Sequence, residues 1–326
     1  MDHFKALNII SHVARSTPKL NILTFNTHER YQTQLAKTGH DFYSFNYDGG
    51  KEWYPGHGPM PHNCYQLPKN AIFPGIMFDF ILVQSKFGQF QTAVQLNKIL
   101  QLPIICLEHT LPIPSWPDQQ LQMFQNMLGD INVFITDYSK LAWGINGEVL
   151  YHSVDTELFT PPADGRKKQI LTVAHDFINR DYALNYSGWK RITEGLPSAV
   201  VGQTEGLSKQ SDSVDDLIEA YQNSLVYINP STLSPVPTSM LEAMACGCAI
   251  VSTKTCGIPS IIEHGVNGFM SNDEMELRQY CEQLLNDPAL AQKMGEAARQ
   301  TIKQKFSEER FVREWNSIFE KAMRIN

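Results

Sequence analysis

Asn229 to Gly268 reads NPSTLSPVPTSMLEAMACGCAIVSTKTCGIPSIIEHGVNG, and the fold turns on this stretch. A short apolar strand, Leu225 to Ile228, runs into a polar turn broken by prolines. Ser234 is placed to cap a helix with Pro235 or Pro237 in its first turn, where a missing N–H costs nothing. Met240, Leu241, Met244 and Ala245 have helical spacing, and Gly247 stops the helix. A second strand, Ala249 to Thr253, leads into a glycine–proline turn. Such a strand–turn–helix–strand unit points free backbone N–H groups beyond the strand end, and helix N-termini of this kind hold phosphates. Glu242 stands one turn further in, within reach of a ribose hydroxyl.

The same stretch resembles the signature of the family 4 retaining glycosyltransferases, which have the GT-B fold. In that family a Glu, seven residues and a second Glu precede AMACG, followed by a strand, a GG-P-E-I-I turn and G-NG. The second Glu is kept as Glu242, along with Ala243, Met244, Ala245, Gly247, Gly257, Pro259, Ile261, Ile262, Gly265, Asn267 and Gly268. Ser234 stands where the family has its first Glu, and Ser260 stands where Glu is usual. The replaced Glu bears on donor-sugar recognition, not on the fold. A second match is VLYHSVDTELF, Val149 to Phe159, which resembles the family's interdomain segment IPHGVDTELF. The resemblance runs from about Val149 to the end of the chain.

Composition bounds the function classes. The chain has 326 residues, 42% hydrophobic and 19% charged, a globular balance with room for two domains. Formal net charge is -7, and neither part is basic: residues 1–155 hold 10 Lys+Arg against 12 Asp+Glu, the remainder 17 against 22. That balance disfavours a nucleic acid acceptor. No apolar run reaches the roughly 18 residues of a membrane span. The start, MDHFKALNIISHVARS, lacks a leader's apolar core and cleavage site, so a cytoplasmic location is expected. The six cysteines show no C-x-x-C metal spacing; Cys246-Gly247-Cys248 reads as small buried residues at a helix-to-strand turn. No D-x-D pair is present to share a Mg²⁺ with phosphates, so neither a metal nor a cofactor is expected.

Strands alternate with helices from Leu20 onward, as a doubly wound parallel sheet requires. Leu20–Asn26 is a buried-strand run; Glu29–Lys37 follows as a helix with Thr27 as its cap, then Asp41–Asn46 as a strand. Asn26 and His28 lie at the carboxyl end of the first strand, where open parallel sheets bind ligands, and are placed on the acceptor side; the plain alternative for His28 is a solvated loop histidine. Asp48–Asn70 has no periodicity and reads as a long loop, either an acceptor wall or a surface loop pinned by Trp53 and Tyr54. Phe78–Gln84 is a strand, Gln89–Leu100 a helix with Ala93, Val94, Leu96 and Leu100 inward, and Pro103–Leu107 a strand. Glu108-His109-Thr110 then puts His109 at the sheet's carboxyl edge. A lone histidine is commonly structural, but the family carries a histidine here, and the resemblance makes His109 the catalytic candidate.

Gln169–Val173 opens a second sheet, followed by AHDFINRDYALNYSGWKRI. In the family a GR…KG loop here touches the donor pyrophosphate. His175 stands near its Arg position and Arg180 is the best basic residue for that role; the alternative is a surface pair of Arg180 with Asp176 or Asp181. Ser213 with Asp216, and Ser271 with Glu274, have capping-box spacing. After Ser307 a last helix carries Phe311, Trp315, Ile318, Phe319 and Ala322 on one face. No period of 20 to 50 residues recurs.

The expected architecture is α/β: two Rossmann-like doubly wound parallel-sheet domains facing a cleft, the GT-B fold. Residues 1–155 form the acceptor side and 156–326 the nucleotide-sugar donor side, with the last helix crossing back to the first domain. The resemblance implies a metal-independent retaining hexosyl- or pentosyltransferase that moves a sugar from a nucleotide diphosphate sugar, such as a UDP-sugar, to an acceptor hydroxyl. The donor binders are Arg180, His175, Ser234, Thr238, Ser239 and Glu242. The alternatives are a GT-B nucleotide-sugar epimerase or hydrolase, or an inactive nucleotide-sugar binding protein.

Overall fold

The computed structural model describes residues 19–325. The N-terminal stretch read for a leader lies outside them. The chain divides into two compact units, one reaching to Tyr151 and resuming at Glu309, the other spanning His152–Glu308.

The first unit is a seven-stranded parallel sheet. Its strands are β1 (Asn21–Thr24), β2 (Asp41–Asn46), β3 (Cys64–Lys69), β4 (Phe80–Val83), β5 (Ile104–Glu108), β6 (Ile131–Phe134) and β7 (Glu148–Val149), in the order β3-β2-β1-β4-β5-β6-β7. Alternate side chains feed two cores, as the period of a strand dictates. Ile22, Phe42, Phe80, Leu82, Ile105 and Leu107 face one layer. Leu23, Ile81, Val83, Ile104 and Cys106 face the other. The first layer is closed by α1 (Glu29–Ala36) and by the C-terminal helix, whose Phe311, Trp315, Ile318, Phe319 and Ala322 are all buried there. The second layer is closed by α2 (Gln89–Leu100), where Ala93 is buried and Leu96 and Leu100 are partly so. Val94, expected inward, is exposed. Two short helices, α3 (Asp118–Gln125) and α4 (Asp137–Trp143), complete the unit.

The stretch expected to be one long loop holds a strand: β3 pairs with β2 through Phe42↔Cys64 and Tyr43↔Tyr65. Pro68 is tolerated because β3 is an edge strand. The cap of α1 also differs from expectation. His28 is the N-cap, and the Thr27 hydroxyl turns back to the Phe25 carbonyl at 3.4 Å.

The second unit has five parallel strands in the order β12-β11-β10-β8-β9. They are β8 (Lys167–Val173), β9 (Ser198–Val201), β10 (Ser224–Asn229), β11 (Ala249–Thr253) and β12 (Phe269–Ser271). Between them run α5 (Asp181–Leu184), α6 (Tyr186–Thr193), α7 (Val214–Asn223) and α8 (Thr238–Ala245). Then come α9 (Glu274–Asn286) and α10 (Pro288–Lys305), and α11 (Glu308–Met323) is the C-terminal helix that joins the first unit. The capping box of α7 forms: Ser213 accepts from Asp216 N, and its hydroxyl reaches the Asp216 carboxylate at 2.7 Å. That of α9 does not. Asp273 caps instead, taking Met275 N at 2.7 Å, and Ser271 bonds Glu276.

α8 and α10 meet at two glycines. Gly247 ends α8 with φ +77, and a Cβ on Gly295 would meet the Gly247 carbonyl oxygen at 2.1 Å. Only a bare backbone lets α10 lie this close.

Candidate active site

In each sheet the strand order reverses once, between β1 and β4 in the first unit and between β8 and β10 in the second. Open parallel sheets bind ligands in the crevice outside the carboxyl ends of such strands. The predicted donor residues lie on segments that leave β8 and β10 at this edge.

α8 begins at Thr238, with Pro237 as its N-cap and no side chain on its first-turn amides. Ser234, expected to cap it, lies upstream in the loop; two further prolines, Pro235 and Pro237, fix an extended approach and delay the helix. A helix leaves its first N–H groups without intrahelical acceptors, here those of Thr238 and Ser239. The other end is closed. Arg166 donates to the carbonyls of Tyr221, Ser224 and Cys246, and Arg299 to those of Ala245, Phe159 and Thr156. Two guanidinium groups at the negative end of the dipole leave the positive end as the open pole of α8. Cys246 and Cys248 are buried in this turn, and burial pushes the Cys248 thiol up to about 11.

The site's segments are stitched to one another. The Ser239 hydroxyl bonds the Tyr227 hydroxyl at 2.8 Å and donates to the carbonyl of Val173, the last residue of β8, at 3.3 Å. Burial pushes the Tyr227 phenol above its usual range, so it stays neutral. Thr232 N and Leu233 N both donate to the Ala183 carbonyl, at 2.9 and 3.1 Å, tying α5 to the loop before α8. Thr255 donates to the Ser231 carbonyl at 3.0 Å, adding the loop after β11. His175, Arg180, Ser234, Thr238 and Ser239 therefore all lie on one hydrogen-bonded group of loops. His175 is exposed, and its Nδ1 accepts from Gln203 N at 3.1 Å, so a neutral ring carries its proton on Nε2. Arg180 is exposed at the start of α5. It forms no pair with Asp176 or Asp181; Asn179 bonds the first, and Ser187 takes both oxygens of the second.

Glu242 is 3% exposed and accepts the Tyr221 hydroxyl at 2.9 Å. It stands one turn into α8 as expected, but inside the packing of the helix. The Tyr221 contact, across 21 residues, has no sequence signal.

In the first unit His28 and His109 come together, their rings 5.5 Å apart. His109 also meets Tyr31 edge-on at 4.6 Å, and the Tyr31 hydroxyl accepts from Trp315 Nε1 at 3.1 Å. Asn26 is engaged by its own sheet. Ser44 donates to its Oδ1 at 2.7 Å, and its Nδ2 donates to Gln66. Sequence reasoning missed two buried charges here. Glu29 accepts from Tyr54 N at 3.3 Å and pairs with His57 Nδ1 at 3.0 Å, pinning the segment before β3. Lys86, 1% exposed, donates to the Met127 carbonyl. Among the described residues no three His, Cys, Asp or Glu side chains gather as metal ligands, and no helix is long and apolar enough to cross a membrane.

Two Rossmann-like parallel units define the GT-B class of fold. Crystal structures of the Anabaena protein HepE with UDP and glucose (TM-score 0.73, 14% identity, 93% of this chain and 99% of that one) and of sucrose-phosphate synthase from Thermosynechococcus elongatus (0.72, 14%, 94% and 100%) share it. Residues 207–301, within the second unit, match the family model of glycosyl transferases group 1. N-acetyl-alpha-D-glucosaminyl L-malate synthase of Bacillus anthracis is 36% identical over 87 residues, 26% of this chain and 23% of that protein. An uncharacterized glycosyltransferase of Haemophilus influenzae is 27% identical over 172 residues, 46% and 48% of the two chains. The chain thus spans about a quarter and about half of these two relatives.

Proposed function

We propose that this protein transfers a hexosyl or pentosyl group from a nucleoside diphosphate sugar to an acceptor hydroxyl, with retention and without a metal ion. The observation that carries the reading is the open N-terminal pole of α8 at the strand-order reversal of the second sheet, with Arg180 exposed at the head of α5, whose Ala183 carbonyl is tied to the loop before α8. As the anomeric bond breaks, both electrons go to the diphosphate. The amides of Thr238 and Ser239, the dipole behind them and the Arg180 guanidinium meet that growing charge. The sugar gains oxocarbenium character, as in glycoside hydrolysis. The acceptor oxygen bonds the same carbon from the face the diphosphate leaves and passes its proton to the departing diphosphate oxygen. We assign His109 to a hydrogen bond with the reacting sugar, His175 to the donor phosphates and Glu242 to the ribose. Ser234, in place of a carboxylate, reads the sugar less strictly. The HepE structure holds UDP, so UDP-sugars are the first donors to try.

The test is incubation with UDP-, GDP-, ADP- and dTDP-linked sugars and a panel of hydroxyl acceptors, following nucleoside diphosphate release and the anomeric configuration of the product. The expected result is acceptor-dependent release from one donor class with configuration kept. Accumulation of an isomeric donor without acceptor would point to an epimerase. Binding of a donor with no bond broken, under every acceptor, would contradict transfer and identify a binding protein.

A further inference from the structure

The turn that carries His109 is fixed more tightly than a strand-end loop needs to be. Glu108, the last residue of β5, is 1% exposed. Its Oε1 accepts from both Thr110 N at 2.9 Å and Thr110 Oγ1 at 2.6 Å. Its Oε2 accepts from Lys86 N at 3.4 Å. The Thr110 carbonyl accepts from Trp143 Nε1 at 2.9 Å, and the Lys86 ammonium lies 5.8 Å from the Trp143 ring. Lys86, Glu108, Thr110 and Trp143 thus form a closed circuit around the backbone of His109. Burial pushes the Glu108 carboxyl up, while the bonds from Thr110 and the charge of Lys86 pull it down. A buried carboxylate is costly unless such bonds satisfy it.

We propose that Glu108 and Thr110 are positioning residues, which clamp the chain on both sides of His109 and set where its imidazole stands. The inference rests on the reading that His109 acts in sugar transfer. The imidazole meets the rings of Tyr31 at 4.6 Å and His28 at 5.5 Å, and the backbone turn sets where it stands against them. Misplacing a reacting group by about 1 Å can cost about 10²-fold in rate. A clamp on that turn therefore acts on turnover and leaves donor binding alone.

The experiment compares Thr110→Val, Thr110→Ser and His109→Ala with the parent, and Thr110→Val again in the His109→Ala background. Thr110→Val keeps the shape and loses the 2.6 Å bond. Turnover should fall about tenfold or more with donor affinity within about threefold, and Thr110→Ser should restore it. In the His109→Ala background Thr110→Val should add nothing. Full turnover of Thr110→Val where His109→Ala has lost it overturns the inference and leaves the assignment of His109 standing. A further loss in the double variant also overturns it, since Thr110 would then act apart from His109. Full turnover of His109→Ala overturns both. Should Thr110→Val fail to fold, Glu108→Gln is the second variant. It keeps an oxygen for Thr110 but sets an amide N–H₂ against Lys86 N, and it is expected to lower turnover without weakening the donor; unchanged turnover there overturns the clamp.

Discussion

Glu242 is 3% exposed and holds the Tyr221 hydroxyl at 2.9 Å. If it also takes a ribose hydroxyl, Tyr221 fixes the carboxylate for that task. Glu242→Ala is expected to cost UDP affinity about 1.5–3 kcal/mol, the range of a hydrogen bond to a charged group. The preference for UDP over 2′-deoxy-UDP should vanish with it, and Tyr221→Phe should fall between. A folded variant that keeps the ribose preference would make Glu242 a structural carboxylate. At this scale the sequence was legible where spacing alone decides. Thr238, Ser239 and Glu242 stand on α8 as read, and His28 and His109 meet because strand ends place them. It was not legible where a contact crosses the chain. Ser234 has the chemistry of a cap, but the prolines after it carry the helix start on to Thr238.

At the scale of elements, α11 shows why periodicity reads well. Five apolar side chains at helical spacing are five buried side chains, and the layer they close is that of the first sheet. β3 shows the opposite. An edge strand with a proline, whose two buried side chains Cys64 and Leu67 enter opposite layers, has no alternation to find. His40 joins α11 to the first sheet. Its Nδ1 accepts from Leu20 N at 3.2 Å, so a neutral ring has its proton on Nε2, where Asn316 of α11 stands at 3.1 Å. Burial pulls its pKa below the usual 6.5, with the bond to Asn316 acting the other way. A base depressed in the folded state contributes stability above its unfolded pKa and loses it as pH falls through the folded value. Thermal unfolding against pH, for the parent and His40→Gln, should show the parent's relative stability falling below pH 6.5. Parallel curves would show that His40 does not couple α11 to the sheet.

At the scale of the whole molecule, the alternation of strand and helix made two parallel α/β units readable, and the Asn229–Gly268 signature marked which holds the helix terminus. The return of the chain to its first unit at Glu309 was suggested only by family resemblance, because an apolar helix face does not say what it packs on. The acidic balance of -7 makes the central claim sharper. A nucleoside diphosphate bound by this chain must be drawn by a local arrangement, not by overall charge. Titration calorimetry with UDP, GDP and ADP and with their nucleosides, on the parent and on Arg180→Ala, tests this directly. One diphosphate should bind at least about tenfold more tightly than its nucleoside, about 1.4 kcal/mol, and Arg180→Ala should remove most of that difference while leaving nucleoside affinity unchanged. If no diphosphate binds better than its nucleoside, the α8 terminus is not a phosphate site and the account is wrong.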